Sequence, residues 1–204
     1  KRENPSDDIM SAWIEAESAG LKDNSDFGLD QIISDCLLLL DGGAETTRTV
    51  IARSMLNLSE DKEQWDLLKT GIDLDTAVEE FIRFVTPIHN MCRVATADYS
   101  IGGQTIRKGQ QVLLMYSSAN RDPSKFHDPE KLDLTRSPNH HISFGFGTHF
   151  CLGAALARLE IKIFFEQLRQ RVKEFSIASE PIEMPNSFVY GLASCPMFLE
   201  SENT

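Results

Sequence analysis

The sequence contains no hydrophobic run long enough to cross a bilayer. Its densest apolar stretch covers only residues 36–40 and ends at Asp41, whereas a membrane-spanning helix needs about 20 apolar residues. Residues 1–8 lack both the apolar centre of a secretory signal peptide and an initiator methionine. We therefore expect a soluble, cytoplasmic protein with no membrane span, and a chain that begins inside a longer protein.

Basic clusters and cysteine pairs are also absent. Lysine and arginine total 20 against 31 acidic residues, a formal net charge of −11, whereas nucleic-acid phosphates are bound by clustered Lys and Arg. The charge therefore argues against nucleic acid as a partner. The cysteines are far apart and form no Cys-x-x-Cys pair, which favours reduced thiols over disulfides or a zinc site. They are Cys36, Cys92, Cys151 and Cys195.

The spacing of apolar residues predicts a mainly α fold with small β-sheets. One helix, apolar on most sides through residues 32–40, is predicted to be buried. Residues 119–141 are rich in turn formers and predict a long irregular segment. Helices are predicted over Asp7–Ser18, Asp30 to about Leu58, a short segment ending at about Lys69, about Leu74 to Val85, and from Cys151 to about Arg171. Strands are predicted between Ile88 and Met115, with a turn at Gly102-Gly103, and in the tail from Phe175 to Glu200.

Cys151 stands in a glycine-rich run immediately before the last predicted helix. Glycines let the backbone fold tightly around the sulfur and approach a flat group closely. The start of the helix offers unpaired N–H groups that stabilise a thiolate. This arrangement suits an axial thiolate ligand of haem iron. The alternative is a buried structural cysteine in a tight turn, but the surrounding pattern favours the ligand.

A second unusual segment, residues 41–47, interrupts the apolar helix with two glycines, an acid and two hydroxyls. Each glycine costs about 1 kcal/mol relative to alanine in a helix. One explanation is that Thr46 bonds back to the carbonyl of Gly42 and opens a groove in which dioxygen sits. Glu45 and Thr46 would then relay protons. The alternative is a helix kink with a solvent-facing Glu45.

Both segments resemble motifs of the cytochrome P-450 superfamily. The haem-binding loop of that family has the spacing Phe-x-x-Gly-x-His-x-Cys-x-Gly, which is matched by Phe144, Gly147, His149, Cys151 and Gly153. The central-helix motif is matched by Gly42, Gly43, Glu45, Thr46 and Thr47. The motifs follow the family order over nearly the whole chain, from about Asp7 to Glu200.

The resemblance implies a structural ion pair on the fourth helix. Glu80 and Arg83 correspond to the family's Glu-x-x-Arg pair, which normally joins a basic residue of a later loop. That third position falls at Lys131, where arginine is more usual. Because lysine cannot form a bidentate fork with a carboxylate, the resemblance predicts a looser triad here.

The resemblance also implies a cofactor and its contacts. The cofactor is haem b, iron protoporphyrin IX, with Arg93 and His149 placed for the propionates. The substrate contacts are Ile88, His89, Asn90, Phe188 and Val189. Residues 1–204 would be the C-terminal, haem-binding half of a single haem-thiolate monooxygenase domain, without its N-terminal half. Such a fragment would expose apolar surface around Leu37–Leu40.

The implied activity is the insertion of one oxygen atom from O2 into an apolar small molecule, steroid-like or terpenoid-like. The two electrons would come from a ferredoxin-type donor with its NAD(P)H reductase, docking near Arg158 and Lys162. Those two cations could equally be solvated helix charges. Two alternatives stay open: a haem-thiolate peroxygenase or dehydratase, which would use the same cysteine, and a non-catalytic fragment without haem.

Overall fold

The computed structural model describes residues 1–18 and 28–202. The chain divides into two compact units, Lys1–Ala44 and Glu45–Thr204. The helices are α1 (Ile9–Ser18), α2 (Leu29–Glu60), α3 (Lys62–Lys69), α4 (Leu74–Val85), α5 (Tyr116–Ala119) and α6 (Ala154–Arg171). The strands are β1 (Asn90–Val94), β2 (Tyr99–Ile101), β3 (Gln104–Ile106), β4 (Gln111–Met115), β5 (Val172–Ile177), β6 (Ile182–Glu183), β7 (Leu192–Ser194) and β8 (Met197–Ser201). The predicted class, mainly α with small sheets, is confirmed.

In the first unit, α1 begins at Ile9 rather than at the predicted Asp7. The Asp8 carboxylate explains the difference, because it accepts the backbone N–H of Ser11 at 2.8 Å and so caps the first turn. Gly20, a glycine two residues beyond Ser18 that favours the end of this helix, lies outside the described residues.

In the apolar part of α2, Ile32 is buried at 2% exposure, but the leucines that follow are not. Leu37 and Leu38 are 60% and 70% exposed, and Leu39 and Leu40 are also exposed. The prediction of burial was wrong for residues 37–40. An apolar composition favours burial, but burial also needs a second surface that packs against these side chains. The predicted apolar surface around Leu37–Leu40 is confirmed. Across residues 1–18 and 28–202, no helix combines the length and the apolar composition that a membrane span requires.

The core of the second unit lies between α3, α4 and α6. The predicted bounds of α4 are confirmed. This helix starts at the Asp73 cap, whose carboxylate accepts the N–H groups of residues 75 and 76, and it ends because Thr86 adopts a left-handed conformation before a proline. Phe81 of α4 stacks on Phe165 of α6, with ring centroids 4.3 Å apart. The stacking fixes α4 against the helix that follows the cysteine.

The strands form four antiparallel two-stranded pairs, β1 with β4, β2 with β3, β5 with β8, and β6 with β7. The predicted Gly102-Gly103 turn joins β2 to β3, and both glycines have positive φ, as a type I′ turn requires. In the tail, β5 carries Phe175, whose ring meets Trp65 of α3 edge-on at 4.8 Å. The tail therefore packs directly on the helical core.

Candidate functional site

Residues Phe144–Gly153 form a tight cysteine loop that presents the Cys151 side chain at the surface. Gly145 and Gly147 both have φ of 72°, a conformation that glycine adopts without strain. The N–H of Cys151 donates to the carbonyl of Phe144 at 2.9 Å and closes the loop. Helix α6 begins at Ala154, three residues beyond the sulfur. The Cys151 residue is exposed, so it is not the buried structural cysteine of the alternative interpretation.

The surroundings of Cys151 fit a flat apolar group. Phe146 and Leu152 are 89% and 86% exposed, and Phe150 is 52% exposed. No group of three or more His, Cys, Asp and Glu within residues 1–18 and 28–202 could hold a metal ion. The donor type and the apolar neighbours both fit haem.

Asn120 anchors the cysteine loop to the end of α4. Its side-chain nitrogen donates to Ser143 Oγ at 2.8 Å, and its side-chain oxygen accepts the N–H of Ile142 at 2.9 Å. Ser143 Oγ in turn donates to the carbonyl of Ile82. Asn120 is fully buried, so these bonds are shielded from water. Sequence reasoning missed this residue, because a single asparagine within a turn-rich segment looks like any other turn former.

Glu79 holds a second connection between α4, the cysteine loop and α6. Its carboxylate accepts from Arg158 Nε at 2.5 Å and Nη2 at 3.0 Å, and it lies 3.0 Å from His141 Nε2. Burial by itself raises the Glu79 pKa, but the hydrogen bonds of His141 and Arg158 and the charge of Arg158 outweigh it and lower the pKa to about 2. The glutamate is therefore ionised at neutral pH. Sequence reasoning singled out only its neighbour, Glu80.

Glu80 and Arg83 are fully buried and paired in a bidentate contact, with Arg83 Nε and Nη2 at 2.7 and 2.8 Å from the carboxylate oxygens. The third base is Arg136, whose Nε lies 3.1 Å from Glu80 Oε2. The prediction of Lys131 for this role was wrong. The Lys131 side chain is 77% exposed and pairs with Asp128, and only its carbonyl reaches Arg83.

Helix α2 continues without interruption through the Gly42-Gly43 segment, and a Cβ built on either glycine would have no neighbour within 4 Å. Glu45 pairs with Arg48, with Oε1 2.5 Å from Nη2. The same oxygen lies 3.1 Å from the position of a Cβ built on Gly191, so the absence of a side chain at Gly191 allows Glu45 to approach the tail.

Two arginines of α2 bind the tail through its backbone. Arg48 Nη1 donates to Leu192 O at 3.3 Å. Arg53 is buried, and its Nε donates to the carbonyl of Tyr190 at 3.0 Å while its guanidinium stacks 3.4 Å from the Tyr190 ring centroid. Arg53 also forms a bidentate pair with Glu183. Sequence reasoning missed Arg53, because an arginine within a helix is usually a surface charge.

The structure brings the predicted substrate residues together. Ile88 forms a β-bridge with Val189, and the N–H of His89 donates to the carbonyl of Phe188 at 2.8 Å. Asn90 donates from its side chain to the carbonyl of Ser187. The segment after α4 and the tail thus form one ladder. Their role as substrate contacts stays a prediction.

The remaining predicted basic residues differ in their surroundings. Arg93 lies on β1 and donates to the carbonyl of Cys92, and His149 is exposed at the end of a 3-10 turn in the cysteine loop. Their role at the propionates stays a prediction. Arg158 and Lys162, predicted to meet a redox partner, are paired with Glu79 and Asp75 of α4. Their charges are thus largely neutralised within the chain.

Comparisons with known proteins identify relatives of this chain. The family model described as cytochrome P450 matches residues 73–194. A steroid C26-monooxygenase of Mycolicibacterium smegmatis is 40% identical over 200 residues, which are 97% of this chain and 49% of that protein. A linalool 8-monooxygenase of Pseudomonas putida is 38% identical over 200 residues, 98% of this chain and 48% of that protein.

Solved structures give the same result for the fold. The crystal structure of CYP109E1 from Bacillus megaterium in complex with testosterone matches with a TM-score of 0.88 and 36% identity, covering 97% of this chain and 51% of that chain. The chain spans about half the length of the curated relatives it matches.

Proposed function

The chain belongs to the cytochrome P450 family, and on that premise we propose that it is the haem-binding part of a monooxygenase acting on an apolar small molecule. The observation that carries the proposal is Cys151, an exposed thiol on a glycine loop, surrounded by exposed apolar side chains. A thiolate-ligated haem, when bound, supplies the activation of O2, because the thiolate favours cleavage of the O–O bond.

The chain's own residues hold the cofactor, which we propose to be haem b. Cys151 binds the iron, and the glycines of its loop allow close approach to the macrocycle. Arg93 and His149 pair with the propionates, because carboxylates buried without partners are costly. Phe144 and Gly153 close the two ends of the loop, through the Cys151 N–H bond and the start of α6.

Glu45 and Thr46 hold and move the two protons that the reaction consumes when the second oxygen atom of O2 leaves as water. Both lie in α2 directly after the two glycines, whose accessible backbone leaves space for a small ligand. The Glu45 carboxylate has a defined position, because Arg48 binds it and the absence of a Gly191 side chain makes room for it. A positioned carboxylate next to a hydroxyl can pass protons directly or through water.

The substrate is proposed to be steroid-like or terpenoid-like. The proposed contacts are Ile88, His89, Asn90, Phe188 and Val189, which meet in one ladder. The curated relatives named above are a steroid monooxygenase and a linalool monooxygenase. Apolar pockets with a few polar groups bind such ligands through buried area and orient them through the polar atoms.

The proposed electron source is a ferredoxin-type donor with its NAD(P)H reductase. A negatively charged donor would reach Arg158 and Lys162 only in competition with Glu79 and Asp75. The proposed location is the cytoplasm, where the free cysteines of this chain would stay reduced. We further propose that residues 1–204 form the C-terminal portion of a single haem-thiolate domain, since the match spans about half of the relatives.

The test is the absorbance of the haem-loaded, reduced protein under carbon monoxide. A red-shifted Soret band is expected, because that shift requires a thiolate on the iron. Cys151→Ala should remove it, whereas Cys92→Ala, which removes another exposed cysteine, should leave it unchanged. Product formation from a steroid or a terpenoid with O2 and a reduced ferredoxin then tests the activity. Turnover with peroxide alone would instead support a peroxygenase.

A further inference from the structure

We propose that Glu79 is a positioning residue for Cys151, acting through Arg158, His141 and Phe144 to hold the cysteine loop in the conformation that binds iron. The inference rests on the proposed function, because it concerns the same cysteine. It assigns to Glu79 a task separate from that of its neighbour Glu80, because the two carboxylates bind different partners.

The Glu79 carboxylate joins three elements. It belongs to α4, it binds Arg158 of α6 through two nitrogens at 2.5 and 3.0 Å, and it lies 3.0 Å from Nε2 of His141, just before the cysteine loop. The His141 side chain is only 2% exposed, and the Glu79 side chain is 28% exposed. The Arg158 side chain is 37% exposed, so the Glu79–Arg158 pair is partly buried, and partly buried pairs are screened less by salt than fully exposed ones.

Phe144 connects this ion cluster to the cysteine. The Arg158 guanidinium carbon lies 4.5 Å from the centroid of the Phe144 ring, and the His141 ring centroid lies 5.9 Å from it. The Phe144 ring also contacts that of Phe150, the residue before the cysteine, at 6.2 Å. The Phe144 carbonyl accepts the Cys151 N–H at 2.9 Å. The position of Phe144 therefore sets the path of the backbone on both sides of the sulfur.

The imidazole of His141 adds a second link to the same backbone. Its Nδ1 accepts the N–H of Ser143 at 3.3 Å, while its Nε2 faces Glu79. The carboxylate thus fixes the tautomer and the orientation of the ring, as outer-shell carboxylates do for histidines near metals. Removing Glu79 would free Arg158 and His141 together, and both of the groups that flank Phe144 would lose their orientation.

The same two helices provide a matched control. Asp75 of α4 pairs with Lys162 of α6 at 2.7 Å, as Glu79 pairs with Arg158. The Asp75 side chain is 73% exposed, and its carboxylate binds Lys162 rather than a residue of the cysteine loop. A change at Asp75 therefore measures what a cross-helix ion pair contributes to α4–α6 packing alone.

The experiment compares Glu79→Gln, Arg158→Met, Arg158→Lys and Asp75→Asn in the haem-loaded protein. The first readout is the rate of haem transfer to an excess of apomyoglobin. The second is the fraction of carbon monoxide complex with the red-shifted, thiolate-type Soret band. Thermal unfolding of each variant reports whether it folds. We expect Glu79→Gln and Arg158→Met each to release haem about tenfold faster, the lower end of the effect of outer-shell partners.

Both variants should also convert part of the red-shifted band to the unshifted form. Arg158→Lys should give values of haem release and red-shifted band between those of Arg158→Met and the parent, because lysine keeps the charge without the bidentate fork. Asp75→Asn should match the parent in both measurements. If Glu79→Gln releases haem at the parent's rate and keeps the parent's spectrum, the inference about Glu79 is overturned. The proposed function would still stand if Cys151→Ala removes the red-shifted band. If Glu79→Gln fails to fold, the contrast between Arg158→Met and Arg158→Lys decides. A parent protein without a red-shifted band would overturn both proposals.

Discussion

The Nε atom of Arg136 lies 3.1 Å from Oε2 of Glu80, a carboxylate that is completely buried. Arg136 also donates to the carbonyls of His127, Asp128 and Lys131. Glu80 thus receives hydrogen bonds from its own helix and from the irregular segment before the cysteine loop. A buried carboxylate needs this number of partners to offset its desolvation.

Replacing Arg136 should therefore destabilise the fold. In Arg136→Met, Glu80 keeps Arg83 but loses its second cation, so we expect the free energy of unfolding to fall by about 2–3 kcal/mol, less than the about 3–5 kcal/mol for a fully broken buried pair. Urea unfolding measures this. Lys131→Met, at an exposed site, should change it by less than about 1 kcal/mol. Equal effects of the two variants would mean that Arg136 is not the third base.

Thr46→Ala should separate oxygen consumption from product formation. Loss of the hydroxyl removes one member of the proposed proton relay, so we expect product formation to fall by about tenfold or more, with hydrogen peroxide appearing in its place. The measurement is the ratio of peroxide to product per O2 consumed. Thr105→Ala, on the exposed β2–β3 hairpin, is the control. An unchanged ratio in Thr46→Ala would count against the relay.

Arg53→Met should loosen the tail. Arg53 binds the carbonyls of Tyr190 and Gly191 and the carboxylate of Glu183, and the tail also carries Phe188 and Val189. Hydrogen exchange over residues 182–194 should speed up by about tenfold, which corresponds to about 1.4 kcal/mol. KM should rise more than kcat falls if this tail contacts substrate. Arg107→Met, which removes an exposed pair with Asp98, should leave both quantities unchanged.

Lowering the pH should reduce the stability of the folded protein, because Glu79 becomes protonated. Its pKa falls from the ordinary 4.5 to about 2 in the folded state, so the folded state favours the ionised form. The resulting stability is present above pH 4.5 and is lost as the pH falls toward 2. It amounts to at most roughly 3 kcal/mol.

Urea unfolding of the parent and of Glu79→Gln at pH 7 and pH 3.5 checks this dependence. The difference between the two proteins should shrink at the lower pH, because protonation removes the advantage of the parent. Glu130→Gln, at a carboxylate whose side chain is 78% exposed, should follow the parent at both values. A difference that stays constant would show that Glu79 does not stabilise the fold through its charge.

Local patterns were sufficient to predict the elements of regular structure. The bounds of α4 follow from a capping aspartate and a terminating proline, and the β2–β3 turn follows from two adjacent glycines. These signals lie within a few residues of the elements they define. The Cys151 loop was predictable for the same reason, since its glycines and the helix after it are contiguous in the chain.

Contacts between distant segments were not predictable in this way. Lys131 was expected at the buried carboxylate because it is basic and lies in the right loop, yet Arg136, five residues later, occupies that position. Asn120 and Arg53 also gave only weak signals, because their importance depends on backbone carbonyls and amides that many residues share. Sequence spacing does not tell which of these groups meet in space.

The family, the order of the helices and strands, and the cysteine that we propose as the iron ligand could all be predicted from the sequence, because each depends on residues that are neighbours along the chain. The folded structure was needed to show that Glu79 and Glu80 bind different partners, that Arg136 completes the buried cluster, and that Leu37–Leu40 are exposed. These outcomes depend on which surfaces meet after folding, and a buried charge or an exposed leucine is defined by its neighbours in space.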